Sequence, residues 1–186
     1  VQRHTTSMIS QHDEIAWDRF ERTLILGNSG SGKSWLAAKV AEALGSKAVD
    51  LDAIHWEPGG YSVARNKQVA IGMVHQEALG AAWVIEGVFG WLAQEAVSRA
   101  TALVWPNIPI GECLDNIRHR GLRRGGDAAS FSALLDWAGY YEKRQTSSSH
   151  AGHLRMFNDF PLQKLRLSSR DAVTHFIAKF GGRRTA

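Results

Sequence analysis

The chain reads as an α/β protein, a parallel β-sheet with helices packed on both faces. Three observations carry this reading. Short apolar runs of strand length alternate with longer stretches of helix formers from residue 22 to the C-terminal region. Gly27-Asn28-Ser29-Gly30-Ser31-Gly32-Lys33-Ser34 lies between the first such strand and the first such helix. Later strands stop at Gly87 and Pro106, which break extended pairing. Strand–helix–strand units of this kind close by right-handed crossovers, and that forces the strands parallel.

Residues 1–20 form an N-terminal extension in which polar 1–10 precede Ile15, Trp17 and Phe20, able to dock one turn of helix. Strand one is 23–26, and helix one is 34–44, stopped by Gly45. Strand two is 47–51; it runs into Asp52-Ala53-Ile54-His55-Trp56 and the turn Glu57-Pro58-Gly59-Gly60. A helix over 65–79 precedes strand three at 82–86, and a helix over 91–99 precedes strand four at 101–105. Helices follow at 110–122 and 131–145, with the basic stretch Arg123-Arg124-Gly125-Gly126 between them. The fifth strand is 164–167, and Ser168 or Ser169 caps a last helix over 170–180. No second domain or internal repeat is visible, so 21–186 reads as one domain.

At 186 residues the chain is long enough for a full core without staples. Its 44% hydrophobic and 22% charged content is ordinary for a globular protein. A net charge of +4 suits an anionic ligand but is too weak to argue for nucleic acid. A single cysteine, Cys113, excludes an intrachain disulfide and a cysteine zinc site, and fits a reducing cytoplasm. No run reaches the roughly 18 apolar residues of a membrane span. The expected location is cytoplasmic.

The segment Gly27–Ser34 matches G-x-x-x-x-G-K-[ST], a loop that wraps the phosphates of a nucleoside triphosphate. Glycines let the backbone approach the anion, and N–H groups at the helix start point at it. Lys33 adds positive charge for the β- and γ-phosphates, and Ser34 is placed to ligate Mg²⁺. ATP and Mg²⁺ are the expected cofactors. In open parallel sheets ligands sit at the carboxyl ends of the strands. That rule gathers Asp50, Asp52, Glu86, Gly87 and Asn107 beside the loop.

Asp50 and Asp52, two apart in extended chain, point the same way. Either could accept a hydrogen bond from an acceptor hydroxyl, and Asp52 lies further out of the strand. Glu86, ending an apolar strand, stands where a magnesium-orienting acid belongs. Arg118, Arg120, Arg123 and Arg124 fall at a helix end and into a glycine loop. They suit a lid around 119–130 that brings charge over a moving phosphoryl group. Arg65 could pair with an acceptor phosphate, and His55, Trp56 and Gly87 lie close by in the sheet edge. His150 and His153 suggest a metal pair only through their spacing, with no third ligand.

The run Leu-x-Leu-Gly-x-Ser-Gly-Ser-Gly-Lys-Ser at 24–34, Leu51-Asp52-Ala53-Ile54-His55-Trp56 and Trp83-Val84-Ile85-Glu86-Gly87 together resemble adenylate-kinase-related P-loop proteins. Among these the chain looks most like the small bacterial group known as DNA topology modulation proteins, over about 22–180. The resemblance implies a P-loop NTPase fold of the nucleoside-monophosphate-kinase kind, with strand order 2-3-1-4-5. It also implies an arginine lid and a base pocket near the last strand. On it, Gly27–Ser34 hold the phosphates, Asp52 faces the acceptor, Arg120, Arg123 and Arg124 serve the lid, and Arg170 lies near the base. The function so implied is transfer of the γ-phosphoryl of ATP to a small acceptor, a nucleotide or nucleoside first. A small hydroxylated metabolite, or a non-catalytic ATP-binding regulatory module, are the alternatives.

Overall fold

The computed structural model describes residues 15–121 and 126–182. Five strands, β1 (Arg22–Leu26), β2 (Ala48–Asp50), β3 (Trp83–Gly87), β4 (Ala102–Pro106) and β5 (Gln163–Leu167), form one sheet. Every pairing is parallel, and the order is β2-β3-β1-β4-β5. The α/β class and the strand order are therefore as expected. Winding runs outward in both directions from β1, so the loop that leaves β1 emerges at the crevice between the two halves.

Alternation along the strands decides which helices cover which face. Leu24, Leu26, Ile85, Leu103 and Trp105 pack on one side with α3 (Lys67–Ala78), α4 (Gly90–Val97) and α7 (His150–Asp159). Ile25, Val84 and Val104 pack on the other with α1 (Lys33–Leu44), α5 (Ile110–Arg120) and α8 (Arg170–Gly181). Strands buried on both faces explain the near-continuous apolar runs in the sequence. Helix α1 ends as anticipated: Gly45 turns left-handed (φ +63°), and the Ser46 N–H donates back to the Ala41 carbonyl at 2.9 Å. Trp17–Glu21 is a 3₁₀ turn whose Trp17 and Phe20 rings pack on Phe176 and Phe180 of α8.

Two elements differ from the sequence reading. After β2 the chain does not stay extended. Asp50 caps a five-residue helix α2 (Leu51–His55), its carboxylate accepting from the Asp52 N–H at 2.8 Å. The inference that Asp50 and Asp52 share a direction fails for that reason. Helix α7 was not anticipated from the sequence. Ser149 is its N-cap, accepting from the Gly152 N–H. Gly152 is required there, since a Cβ would stand 2.5 Å from the carbonyls of Thr146 and Ser147. The remaining helix, α6 (Ala128–Gly139), opens with a capping box between Asp127 and Ser130. Among the described residues no helix is long and apolar enough to cross a membrane.

Candidate active site

Register brings the site together. Ile25 pairs with Glu86, Leu26 with Gly87, and Asp50 with Glu86, so β1, β2 and β3 end level with one another. From that edge the loop 27–32 rises into α1. Gly30 and Gly32 both adopt positive φ (+81° and +83°). Gly32 occupies the N-cap of α1 and offers no side-chain cap, which leaves the first helical N–H groups to the loop's concavity. The Ser31 hydroxyl is buried there with no hydrogen-bond partner among the described residues. A concave backbone, an uncapped helix start and an orphaned hydroxyl are what a phosphate chain would satisfy.

The loop is braced from outside. The Asn28 side chain donates to the Ala138 carbonyl at 2.9 Å, and the Asn116 amide donates to the Gly30 carbonyl at 2.8 Å. Arg170 donates to both Asn116 and Glu112, and so reaches the loop only through Asn116. Asn116 had no signal in the sequence beyond its place on α5. Gly30 abuts α5 so closely that a Cβ would lie 2.1 Å from the Cys113 carbonyl. Gly30→Ala is therefore expected to displace α5, lowering the melting temperature by several degrees and abolishing nucleotide binding. Gly32→Ala meets no atom within 4 Å. It should cost only the roughly 1–2 kcal/mol of a left-handed non-glycine residue. Paired thermal melts of the two variants check this; equal losses would refute the packing argument.

Lys33 is buried, and its Nζ stands 3.8 Å from Glu86 Oε2, itself buried. Burial works against the lysine's charge, but Glu86, Asp52 and Asp50 outweigh it and hold the ammonium above its ordinary pKa. Burial pushes the Glu86 carboxyl up, opposed by Lys33 and by the Ser34 hydroxyl that hydrogen-bonds it. Ser34 and Glu86, the two residues expected to serve a metal, thus lie near enough to influence one another. Among the described residues no three His, Cys, Asp or Glu side chains are grouped to hold an ion. Ser34 and Glu86 both offer oxygen donors, the kind a magnesium ion takes.

Beside the loop lies a cavity of about 530 Å³, bounded by Ser29, α2, the end of β3 and one face of α6. Asp52, His55 and Arg120 line it, and Arg120 is near enough to act against the charge of Lys33. Burial lowers the pKa of His55, which leaves it a neutral imidazole at neutral pH. Arg123 and Arg124 lie outside the described residues, while Gly121, Gly126 and Ser130 on either side of them border the cavity. Arg118 pairs with Asp115 on the solvent face of α5.

Other candidates have different neighbours. The Arg65 guanidinium donates to the carbonyls of Ile54 and Trp56 and to the Glu57 carboxylate, fastening α2 to the 57–64 turn. It is absent from the cavity lining. Gly87 packs against Leu51, whose Cβ a substituent would meet at 2.5 Å, so the glycine serves the β3–α2 contact. His153 is fully buried, accepting from the Tyr141 hydroxyl at 2.7 Å and donating to the Val88 carbonyl at 3.0 Å. Burial pushes its pKa down to about 4, and the ring is a structural brace rather than half of a metal pair. The sequence reading missed Tyr61, Phe89, Phe131, Leu134 and Trp137 as cavity residues. Nothing in the sequence set these residues apart from ordinary core positions.

No family model matches the chain, and no curated protein matches it. Solved structures do. A gluconokinase from Sinorhizobium meliloti 1021 superposes with a TM-score of 0.52 at 16% identity, over 90% of this chain and 95% of its own. A shikimate kinase from Bacteroides thetaiotaomicron gives 0.50 at 16% identity, over 89% and 98% respectively. At that identity the likeness is one of fold. The narrower likeness to DNA topology modulation proteins has no counterpart in these comparisons, and the chain shares with small P-loop kinases the α/β fold described above.

Proposed function

We propose that the protein is an ATP-dependent phosphotransferase whose acceptor is a small hydroxylated metabolite. The observation that carries this reading is the placing of Asp52 on the wall of a cavity beside Lys33 and the phosphate-binding loop. A donor site and an acceptor-sized space, within the roughly 300–1,000 Å³ of small-ligand sites, share one carboxylate. Two further points favour an alcohol over a nucleoside monophosphate. Arg65, the residue expected to hold an acceptor phosphate, is engaged by backbone carbonyls and Glu57. The solved structures of similar fold are a gluconokinase and a shikimate kinase, named for non-nucleotide acceptors.

In this reading the loop amides, Ser31 and Lys33 hold the triphosphate, and Ser34 with Glu86 would hold Mg²⁺. Bound there, the ion would supply neutralisation of the phosphates' negative charge. Arg120 faces the transferred group, and Asp52 orients the acceptor hydroxyl and takes its proton. The aromatic walls exclude water, which otherwise competes as acceptor. The test is ADP release with ATP–Mg²⁺ and a panel of alcohols, sugar acids and nucleoside monophosphates. At least one alcohol should raise release well above the water background. Release that no acceptor stimulates, but that DNA or a protein partner does, would favour a regulatory ATP-binding module instead.

A further inference from the structure

We infer that the acceptor carries its hydroxyl close to a flat ring and bears no phosphate: a neutral ring alcohol, such as a heteroaromatic methanol or a nucleoside, rather than an open polyol or sugar acid. The inference rests on the phosphotransferase reading of the same cavity. It comes from the lining of that cavity.

Part of that lining is a run of touching rings. His55 packs on Phe89 with centroids 3.9 Å apart and on Trp56 at 4.5 Å. Trp56 reaches Tyr61 at 6.2 Å, and Phe89 reaches Trp137 at 6.4 Å. Through Trp137 the run continues onto α6. Phe131, Leu134 and Trp137 recur at three-residue steps and so share one helix face, the face that lines the cavity. Only Ala138 of this apolar helix is buried; Phe131, Leu134 and Trp137 stay half-buried. A helix that withholds its apolar stripe from the core has that stripe available for something else. Arg144 stacks on Trp137 at 3.7 Å from its centroid and also donates to its carbonyl, fixing the ring as part of the wall.

A cavity lined by so many rings favours a ligand with a flat ring that can stack on them. A gluconate-like chain would bring several hydroxyls against rings that offer few partners, each left unsatisfied at a cost. The polar groups cluster instead at the loop end: Ser29, Asp52, His55 and Arg120. Arg120 lines the cavity close enough to Lys33 to oppose its charge. The imidazole of His55 is neutral, unlike a counter-ion for an anionic acceptor.

The step balances simply. The ring alcohol's oxygen bonds to the γ-phosphorus as the bond from that phosphorus to the β,γ-bridging oxygen breaks. ADP leaves with that electron pair, and the hydroxyl proton passes to Asp52 and then to water.

Calorimetric titration and ADP release should be run side by side on the full chain with ATP–Mg²⁺. The probes are 3-pyridinemethanol, adenosine, D-gluconate, shikimate and AMP. The ring alcohols should bind and drive ADP release, gluconate and shikimate should do neither, and AMP should bind no more tightly than adenosine. Trp137→Ala and Phe131→Ala should each weaken ring-alcohol binding about ten-fold while ATP affinity holds. Binding of gluconate or shikimate without the ring alcohols, or AMP bound far more tightly than adenosine, overturns the inference and leaves a kinase reading intact. Ring alcohols that bind, lose affinity in both variants and yet trigger no ADP release would overturn phosphoryl transfer and with it the acceptor assignment, leaving a ring-binding cavity.

Discussion

Lys33→Ala is expected to lower phosphoryl transfer by about 10³-fold, the scale of losing one preorganised charge at the transition state. The same substitution has a second consequence that a surface lysine could not produce. It leaves Glu86 buried without its cation 3.8 Å away. An unpaired buried charge costs about 3–5 kcal/mol, and a carboxyl in that position takes up a proton instead. Glu86 already has a raised pKa in the folded protein, so its protonated form favours folding. That contribution is fully present below the unfolded carboxyl's pKa and is lost as pH rises through the higher folded value. Removing Lys33 pushes the folded value higher still. The melting temperature of Lys33→Ala should therefore fall furthest behind the parent at neutral and alkaline pH, and the gap should narrow near pH 5. Adding Glu86→Gln should restore stability at neutral pH without restoring transfer. A deficit that does not change with pH would show that Glu86 is not coupled to Lys33.

The parts of the site legible in the sequence are those where local chemistry is unambiguous. A loop that needs φ > 0 at Gly30 and Gly32, and a helix that needs an uncapped start, leave little freedom in residue choice. Periodicity placed all five strands within a residue or so, because strands buried on both faces tolerate little but apolar side chains. Arg65 could not be read correctly, since a guanidinium wrapped by three backbone carbonyls and one on a ligand have the same sequence signature. Helix α7 was hidden by its own entry, where Ser149 and Gly152 serve a cap and a close approach. Its buried face, Gly152, His153, Met156 and the following Phe160, does repeat at helical spacing. The cavity walls were hidden for a different reason. Half-buried aromatics on α6 and after α2 look like core until the packing shows that they line a cavity.

Asp52→Asn is expected to leave ATP affinity nearly unchanged and to reduce transfer by about 10²–10⁴-fold, the range of a general base held near its substrate. The comparison that makes this informative is Asp50→Ala. The sequence left Asp50, Asp52 and Glu86 open as the main acid, and the structure gives the two aspartates different neighbours. Asp50 accepts from the Asp52 N–H and caps α2, whereas Asp52 borders the cavity. Loss of the cap should cost about 0.5–2 kcal/mol of stability. Transfer should then fall only as far as a looser α2 misplaces Asp52. Melting temperature and single-turnover rate should consequently move in opposite order: Asp50→Ala the less stable of the two, Asp52→Asn the less active. Asparagine keeps the shape and hydrogen-bonding capacity of aspartate but cannot take up the proton. The acid limb of the kcat/KM profile should accordingly vanish in Asp52→Asn and persist in Asp50→Ala. An Asp52→Asn protein that transfers at the parent rate would remove this carboxylate from proton transfer and leave it an orienting role.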